Sequence, residues 1–390
     1  MSLPDIIYKG SVKNIRGVEG VSPYIFEYSD RYSVYDWGEM PDHLQGKGDA
    51  LCFLAWFFFD YLGKAGNWKS LDVAGKLSSS SVLRDLRKNG LTHHMVGLAG
   101  GDLKTITLDR EVISPTKMLL VHPVKVIEPV GETKKGKLTW DYSAYAERPV
   151  DALVPLEVIF RFGVPEGSSL LKRTGDTAYC KEIGLANTPS AGDKFDVPII
   201  EFSTKLENKD RYISYVEAAE ISGMNPSELQ RLVDLASLCA INLKACFDGI
   251  GVGLWDGKLE FAFVQGSAEA RDFMLVDSVG PDELRLIFEG VHLSKEILRA
   301  SYKGSSWLAA VEKAKSIADE RGEKDWKRIC LEELKAHPPL LSPVVKEKAT
   351  MIYKSLSKEL CKKYCDKVIF AESWSLSKVA QSFAQKKAVA

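Results

Sequence analysis

The 390-residue sequence is consistent with an α+β protein that ends in a helical segment. Three observations support this class. Strand-like runs alternate with two helical patterns in roughly the first 125 residues, and a long capped helix in the middle of the chain is followed by two strands. From Ser305 onward the pattern is helical. These patterns are consistent with an α+β fold but do not by themselves select it.

In the first part of the chain we expect strands at residues 6–15 and 24–34, together with two helices. Both strand segments are rich in β-branched and aromatic residues and are broken by glycines. Residues 51–62 are apolar on nearly all sides, which indicates a helix buried in a core. The second helix is predicted to begin near Ser81 and to end at Gly90, because serine and glycine favour these two helix ends.

A further strand is predicted at residues 118–127, interrupted by Pro123. The segment 128–151 differs in composition, with Gly-Glu-Thr-Lys-Lys-Gly-Lys followed by aromatic and polar residues. It is predicted to form an inserted hairpin or a surface loop. Strand character resumes at Leu153 with Leu-Val-Pro-Leu-Glu-Val-Ile-Phe-Arg.

The middle of the chain carries the clearest helix signal. Asn-Pro-Ser-Glu at 225–228 combines a capping residue, a proline in the first turn and a glutamate at the third position, and glycines from Gly249 onward end the helix. The segments 253–264 and 271–279 that follow have the spacing of a β-hairpin.

The last part of the chain is predicted to form helices. One is expected to be capped by Ser306 and to stop at Gly322, and another to begin at Ser342-Pro343.

Composition excludes several classes of protein. The sequence is 45% hydrophobic and 27% charged with a formal net charge of −1, so it lacks the field that attracts nucleic acid or an anionic membrane. Seven scattered cysteines, an odd number without a disulfide pattern, indicate reduced thiols. The first residues lack a signal-peptide pattern, and the most apolar stretch is too short to cross a bilayer. We therefore expect a cytoplasmic protein without nucleic acid or membrane partners.

The most informative segment is the predicted strand 253–264. Asp256, Lys258 and Glu260 are spaced two residues apart, so on a strand they project from one face. Two carboxylates that flank a lysine suit a divalent cation beside a phosphate, and Asp277 across the hairpin can supply another oxygen ligand. A solvated strand face with cross-strand ion pairs fits the spacing equally well.

Other charged residues are also open to two interpretations. Arg161 at the end of a predicted strand offers a planar guanidinium for a carboxylate or phosphate, or forms a structural ion pair. Lys295 and Arg299 would share one face of a helix, which suits phosphate or dicarboxylate binding, and a solvated helix face explains them as well.

Several motifs resemble one known family. Leu-Trp-Asp-Gly-Lys-Leu-Glu-Phe at 254–261 resembles a signature of the SAICAR synthetase (phosphoribosylaminoimidazole-succinocarboxamide synthase) family, Leu-[Ile/Val]-Asp-Phe-Lys-Leu-Glu-Phe-Gly. Residues 153–161 and the following Gly167-Ser168 resemble the family's Pro-[Val/Ile]-Glu-x-[Val/Ile]-x-Arg and Gly-Ser elements. Five further stretches resemble family elements, and all occur in the family's order; they begin at Tyr8, Phe26, Asn89, Ile200 and Asp282.

The sequence also departs from the family pattern. Ser11 stands where the family has a lysine in its first nucleotide loop, and Val121-His122 stand where it often has another. The spacing between Arg161 and Gly167 is one residue longer than in the family. The insertion at 128–151 and the tail from 305 to 390 extend beyond the compact family form.

The resemblance implies roles for individual residues. The implied magnesium ligands are Asp256, Glu260 and Asp277. The implied contacts to ATP are Lys13, Lys258 and Asp277. The implied catalytic residues are Arg161, Lys205 and Asp210. The residues implied to hold the substrates are Arg161, Ser168, Arg285, Lys295 and Arg299.

The resemblance also implies a domain organisation. An N-terminal lobe at 1–127, built on an antiparallel sheet, would bind the nucleotide, followed by an insertion or linker at 128–152. A larger α+β lobe at 153–304 would carry the substrate and metal residues, and a helical extension would occupy 305–390. ATP is expected in the cleft between the lobes.

The reaction implied is an ATP-dependent ligation in purine biosynthesis. The carboxylate of carboxyaminoimidazole ribonucleotide would be activated as an acyl phosphate and joined to the amine of L-aspartate, with ATP and Mg²⁺ as cofactors. Three alternatives stay open: a paralogous ligase for another carboxylate and amine, a small-molecule kinase, and a non-catalytic nucleotide-binding or scaffold protein. A homo-oligomer is also compatible with the sequence.

Overall fold

The computed structural model of the chain describes residues 3–100, 115–134, 137–207, 209–266, 270–323 and 325–384. Its strands are β1 Ile6–Lys9, β2 Lys13–Val18, β3 Val21–Tyr28, β4 Met95–Leu98, β5 Met118–Val121, β6 Val130–Lys134, β7 Lys137–Asp141, β8 Ala152–Leu153, β9 Leu156–Gly163, β10 Lys194–Thr204, β11 Tyr212–Ile213, β12 Gly253–Val264, β13 Asp272–Val276, β14 Leu284–Phe288 and β15 Val291–His292.

The helices alternate with these strands in the first two thirds of the chain and dominate the last third. They are α1 Lys47–Gly63, α2 Gly66–Lys69, α3 Ser81–Asn89, α4 Thr177–Glu182, α5 Tyr215–Ser222, α6 Pro226–Asp248, α7 Glu296–Tyr302, α8 Ser306–Arg321, α9 Trp326–Arg328, α10 Pro343–Cys365 and α11 Leu376–Ala384. Among the described residues, no helix is both long and apolar enough to span a membrane. All seven cysteines are described and none forms a disulfide.

The chain folds into two compact units, each assembled from stretches that are distant in sequence. The first unit comprises residues 1–56, 96–121 and 287–390, and the second comprises 57–95 and 122–286. The predicted domains, in contrast, follow one another along the sequence.

The first unit contains a sheet in the order β1-β2-β3-β5-β4. The predicted single strand at 6–15 is wrong, because this segment forms two antiparallel strands, β1 and β2. The chain reverses at Gly10, whose N–H donates to the Lys13 carbonyl over 2.9 Å. A Cβ atom at this position would lie 2.8 Å from the same oxygen, so glycine permits the tight turn.

The strand predicted at 24–34 ends at Tyr28, earlier than expected. The Asp30 carboxylate accepts hydrogen bonds from the backbone N–H groups of Gly46 and Gly48 at 3.1 and 2.9 Å, which draws the chain away from the sheet. The strand predicted at 118–127 likewise ends at Val121, before Pro123. A proline cannot donate to a strand ladder, which limits how far the pairing extends.

Helices of the C-terminal segment are integral to the first unit. Trp307, Val311, Ile352 and Leu356 are almost completely buried. The Ser357 hydroxyl donates to the carbonyl of Ala50 over 3.0 Å. Packing of these apolar side chains stabilises the unit, since full burial of one such side chain is worth about 1.5–3 kcal/mol.

The caps of the C-terminal helices largely agree with the sequence. Ser342 caps α10, which has Pro343 in its first turn, and Gly322 ends α8 in the left-handed conformation, as predicted. The cap of α8 is Ser305, and the prediction of Ser306 is wrong by one residue, because the hydroxyl of Ser305 accepts from the Leu308 N–H.

In the second unit a sheet runs in the order β11-β10-β9-β12-β14, and β8 and β13 also pair with β12. Strand β9 is antiparallel to both β10 and β12. The predicted hairpin of β12 and β13 is confirmed. The segment 128–151 contains the two-stranded hairpin of β6 and β7, which confirms one of the two structures proposed for it.

Helix α6 packs against β9, β10 and β12. It begins with the predicted capping box, in which the Asn225 side chain accepts from the Glu228 N–H and the Glu228 side chain accepts from the Asn225 N–H. The Lys244 ammonium of α6 lies 6.0 Å from the centre of the Phe162 ring on β9. The face of β9 that carries Phe162 is therefore directed toward α6. Because side chains of a strand alternate between its two faces, Arg161 lies on the opposite face.

Candidate active site

One face of the sheet formed by β10, β9 and β12 carries most of the predicted site residues. Asp256 on β12 lies directly opposite Arg161 on β9, and Lys258 lies opposite Ile159. On the other side of β9, Glu201 of β10 is also opposite Ile159. The two-residue period of the strands therefore brings Asp256, Lys258 and Glu260 onto one face with Arg161, as predicted.

The carboxylates and the central arginine of this face are buried, whereas the solvated strand face considered from the sequence would leave them exposed. Glu201 is 1%, Arg161 4%, Glu260 6% and Asp256 7% exposed. Buried charges are stable only when they are paired and hydrogen-bonded. The partners of these side chains separate them into two groups along the strands.

The first group is a row of alternating charges, which we call the arginine chain: Arg173, Glu201, Arg161, Asp256 and Arg285. Glu201 pairs with both Arg173 and Arg161. Asp256 accepts from Arg161 Nη1 and from Arg285 Nη1, each over 3.0 Å. Burial disfavours the charge of Glu201, but the two guanidinium groups outweigh burial and lower its pKa.

Arg161 is held by protein groups on every nitrogen atom. Nε donates to Glu201 and Nη1 to Asp256, while Nη2 donates to the Ser169 hydroxyl over 3.3 Å and to the Tyr212 hydroxyl over 3.1 Å. Four of its five N–H donors are therefore used within the protein. The sequence allowed Arg161 either to bind a carboxylate or phosphate of a ligand or to form a structural ion pair, and the contacts in the structure are those of an ion pair.

The second group contains two lysines and three carboxylates. Lys205 Nζ donates to Glu260 over 2.6 Å, and Lys258 donates to Glu157. Burial raises the pKa of Glu260, and the nearby carboxylate of Asp277 raises it further, although Lys205 and Lys258 act in the opposite direction. Burial acts against the charge of Lys205, but Glu260 and Asp277 outweigh it and raise the pKa of Lys205.

Asp277 follows β13 in a conformation that few side chains adopt. Its φ angle is 65°, in the left-handed region that favours glycine, asparagine and aspartate. An unusual backbone angle at a charged residue beside Glu260 supports the hypothesis that this position is functional.

The three residues implied as magnesium ligands lie in two different groups of the charged face. Asp256 and Glu260 are four residues apart on one strand, which separates their backbones by roughly 13 Å at about 3.3 Å per residue. Asp256 belongs to the arginine chain, whereas Glu260 and Asp277 interact with each other. Among the described residues, no three His, Cys, Asp or Glu side chains form a metal-binding group.

The other predicted residues of the second unit have diverse environments. Ser168 is buried, and its hydroxyl accepts from the Leu170 N–H over 3.4 Å at the start of a short 3₁₀ helix, whereas the neighbouring Ser169 contacts Arg161. Asp210 is exposed in the loop before β11. Arg285 is partly exposed at the end of the arginine chain.

Three predicted residues belong to the first unit. Lys13 lies on β2, with its ammonium 4.5 Å from the centre of the Phe26 ring. Lys295 is the residue before α7, and its carbonyl accepts from the N–H of Arg299, so the expected helical spacing of this pair is confirmed. The Arg299 guanidinium pairs with Glu296 one turn away.

Several residues of the charged face were not predicted. Glu157 and Glu201 stand among apolar residues of their strands, and a carboxylate in such a run is a signal of a buried pair. Three further residues come from separate short elements: Arg173 ends a 3₁₀ turn, Tyr179 lies on α4, and Tyr212 lies on β11. Nothing in their spacing along the sequence indicates that they meet.

An α+β fold with a buried face of carboxylates, lysines and arginines is suited to an enzyme that handles anionic and phosphate-bearing substrates. Comparison with known proteins identifies the family within this class. The family model of SAICAR synthetase matches residues 6–314, and the chain belongs to this family. Membership confirms the predicted type of enzyme, an ATP-dependent carbon–nitrogen ligase of purine biosynthesis.

Individual relatives agree with this assignment. A provisionally named phosphoribosylaminoimidazole-succinocarboxamide synthase of Archaeoglobus fulgidus is 34% identical over 359 residues, which are 90% of this chain and 93% of that protein. The synthase of Thermoplasma acidophilum is 24% identical over 319 residues, 80% of this chain and 87% of its own. The structure of the Saccharomyces cerevisiae SAICAR synthase complexed with SAICAR covers 94% of this chain and 96% of its own length, with a TM-score of 0.55 and 21% identity, and confirms the fold.

Proposed function

We propose that the protein joins the carboxylate of carboxyaminoimidazole ribonucleotide to the amine of L-aspartate, with conversion of ATP to ADP and phosphate. The observation that carries this proposal is the group formed by Lys205, Glu260, Lys258 and Glu157 beside Asp277, in a chain of this family; the two glutamates are buried and the two lysines are partly exposed. The names of the relatives support the same substrates.

The chemistry explains why such a site needs both lysines and carboxylates. A carboxylate oxygen attacks the γ-phosphorus of ATP, the bond to the β-phosphate oxygen breaks, and ADP leaves. The amine of aspartate then attacks the acyl carbon, phosphate leaves, and the nitrogen loses a proton to form the amide. Lys205 and Lys258 would neutralise negative charge on the phosphoryl oxygens. Residues that hold the two acids close together in the right orientation would increase the reaction rate.

Glu260 and Asp277 are the groups we propose for magnesium. The Asp277 carboxylate lies close enough to Glu260 to raise the pKa of the Glu260 carboxyl, and two neighbouring carboxylates can bind a divalent cation. Mg²⁺ is commonly bound by one or two carboxylates together with substrate phosphates. The ion would supply charge neutralisation for phosphoryl transfer. Lys13 is proposed to contact the phosphates of ATP, and the cell compartment is proposed to be the cytoplasm.

The remaining predicted residues are proposed to bind the two acids. Asp210 is exposed in the loop before β11, and Arg285 is partly exposed at the end of the arginine chain. Lys295 and Arg299 retain their proposed role in holding an acidic substrate. Ser168 is a weaker candidate than Ser169, because its hydroxyl caps a helical turn.

The proposal is tested by measuring ADP release with Mg²⁺-ATP, the ribonucleotide and L-aspartate, omitting each in turn. We expect ADP formation that requires all three, together with the amide product identified by mass spectrometry. ADP release that does not depend on aspartate would favour a kinase. No release with this pair would contradict the proposed substrates and favour a ligase for another carboxylate and amine.

A further inference from the structure

The turn at residues 34–37 in the first unit adopts a backbone conformation that its residues disfavour. Tyr35 and Asp36 have φ angles of 56° and 62°, and the N–H of Trp37 donates to the Val34 carbonyl over 3.1 Å. Two successive positive φ angles inside such a hydrogen bond define a type I′ turn, which usually contains asparagine and glycine. A tyrosine carries a steric cost in the left-handed region, so the surrounding structure must hold this turn in place.

Helix α8 supplies a direct contact to the strained backbone. Lys315 Nζ donates to the Tyr35 carbonyl over 3.2 Å and pairs with the Asp36 carboxylate at 2.7 Å. The Asp36 side chain is 84% exposed, and exposed ion pairs contribute little, so the bond to the carbonyl is the more important one. The same ammonium lies 4.8 Å from the centre of the Trp326 ring of α9, which restricts its position further. The range matched by the family model ends at residue 314, so both Lys315 and Trp326 lie beyond it.

Aromatic packing holds the same turn from α8 and α9. The Trp307 ring packs edge-to-face at 6.3 Å from the Tyr35 ring and at 5.3 Å from the Trp37 ring. Trp37 also contacts Trp326, with ring centres 5.7 Å apart. Trp37 and Trp307 are buried. Because these rings are enclosed by one another, the turn cannot move without disturbing the start of the C-terminal segment.

The segment that contains the turn also contacts α7, the helix that carries Arg299. The Tyr35 hydroxyl donates to the Arg299 carbonyl over 2.8 Å, and the Tyr32 hydroxyl lies 2.6 Å from the hydroxyl of Tyr302, the last residue of α7. Helix α7 has only seven residues, and so short a helix depends on tertiary contacts for its stability and position. The Arg299 side chain is 41% exposed and thus accessible to a ligand.

We propose that Lys315 is a positioning residue for the acidic substrate that Arg299 holds, an inference that rests on the proposed function. Lys315 fixes the turn at 34–37, and the Tyr35 hydroxyl of that turn fixes the backbone of α7 at Arg299. Without the ammonium, the turn would relax toward a backbone conformation that tyrosine prefers, and the bond from Tyr35 to Arg299 would break. The guanidinium of Arg299 would then be displaced, which weakens the binding of the acid.

Steady-state kinetics of K315M and R299M test this assignment. R299M identifies the acid that Arg299 holds, because the KM for that acid, L-aspartate or the ribonucleotide, should rise. We expect K315M to raise the same KM by about 3- to 10-fold, the effect of one lost hydrogen bond, with little change in kcat or in the KM for ATP. K313M is the matched control, because Lys313 is exposed on the same helix, and its KM values should be normal.

A double-mutant cycle with Y35F tests whether Lys315 acts through the turn. Y35F removes only the hydroxyl that donates to the Arg299 carbonyl and should raise the same KM. The double variant K315M/Y35F should have about the KM of the more affected single variant, because both changes interrupt one connection. Effects that multiply would show that the two residues act independently and would overturn the assignment.

Conservative replacement separates positioning from general stability. K315R keeps a cation that can donate to the Tyr35 carbonyl and should restore a nearly normal KM; a KM as high as that of K315M would overturn the assignment. A lower unfolding temperature of K315M with unchanged KM values would also overturn it, as would unchanged KM values for both acids in R299M. If K315M fails to fold, Y35F is decisive, because its side chain is only partly buried, and an unchanged KM would contradict the connection. Wild-type protein that is inactive with both acids would instead contradict the proposed function itself.

Discussion

At the scale of single residues, the partner of each charged group determines what it can do in the site. Lys205 and Glu260 are a close pair beside Asp277, whereas Asp256, four residues from Glu260, is bound between two arginines. Chemically similar side chains on one strand therefore have different roles. Two predictions follow from the pairing of individual carboxylates.

E260Q is expected to reduce turnover at least about 100-fold and to leave the fold intact. The change removes one carboxylate of the proposed metal pair. Glutamine has the same size as glutamate, and burial raises the pKa of the Glu260 carboxyl, so a neutral side chain is tolerated there. ADP release and the far-ultraviolet circular dichroism spectrum are the measurements. D248N, which changes an exposed ion pair with Lys244, is the control and should be fully active. Near-normal activity of E260Q would rule out the metal assignment.

E201Q is expected to destabilise the protein by about 3–5 kcal/mol at pH 7, because it breaks a buried ion pair and leaves two guanidinium groups without their counter-charge. The pKa of Glu201 is lowered in the folded state, so its stabilisation is present above the pKa of the unfolded chain, about 4.3, and is lost as the pH falls through the folded value. The difference between E201Q and wild type should therefore shrink in acid.

Denaturant unfolding of both proteins at pH 7 and at about pH 2, well below the pKa of the unfolded chain, measures this difference. E217Q removes an exposed carboxylate that pairs with Arg211 and serves as the control, with an expected change below about 1 kcal/mol. An equal loss of stability at the two pH values would show that the charge of Glu201 is not the cause.

At the scale of secondary-structure elements, strand register and turn geometry bring the site together. Asp256 meets Arg161 because β9 and β12 pair with these residues directly opposite. Asp277 reaches Glu260 from the end of β13, where its backbone leaves the strand in the left-handed conformation. The alternation of side chains along a strand explains the contact of Asp256 with Arg161, and the turn after β13 explains the contact of Asp277 with Glu260.

D277N and D277A are expected to separate the roles of charge and backbone at this turn. Both should lose ligase activity, because both remove the carboxylate. D277N should unfold at nearly the wild-type denaturant concentration, whereas D277A should be less stable by about 1–2 kcal/mol, since alanine carries a steric cost in the left-handed region that asparagine largely avoids. Equal stability of the two variants would contradict the conformational argument.

At the scale of the whole molecule, the C-terminal segment is part of the core of the first unit. The sequence suggested a helical extension, and α8 and α10 indeed form there, but their apolar faces are buried together with residues from the beginning of the chain. Phe370, for example, packs edge-to-face against Phe53 of α1. The segment thus contributes buried side chains to the core of that unit.

L356A is expected to destabilise the protein by about 2–5 kcal/mol, because Leu356 on α10 is 0% exposed and its truncation leaves a cavity. V344A on the same helix is the matched control: Val344 is 57% exposed, so its truncation should cost less than about 0.5 kcal/mol. Thermal unfolding of the two variants measures the difference. Similar unfolding temperatures would show that α10 does not contribute to the core.

The sequence by itself determined the features that depend on neighbouring residues. The capping box of α6, the buried helix α1, the hairpin of β12 and β13 and the common face of Asp256, Lys258 and Glu260 follow from local spacing and were predicted correctly. The family followed from motifs that keep their order along the chain.

Only the tertiary structure decided which charges meet. Arg173 and Glu201 are 28 residues apart, and Arg161 and Asp256 are 95 apart, so no local period relates them. Burial was also invisible from the strand pattern, because alternating charges look the same on a solvated face and on an enclosed one. The physical reason is that ion pairing and desolvation act through space, and their strength depends on distance and solvent exposure, which are fixed only when the chain has folded.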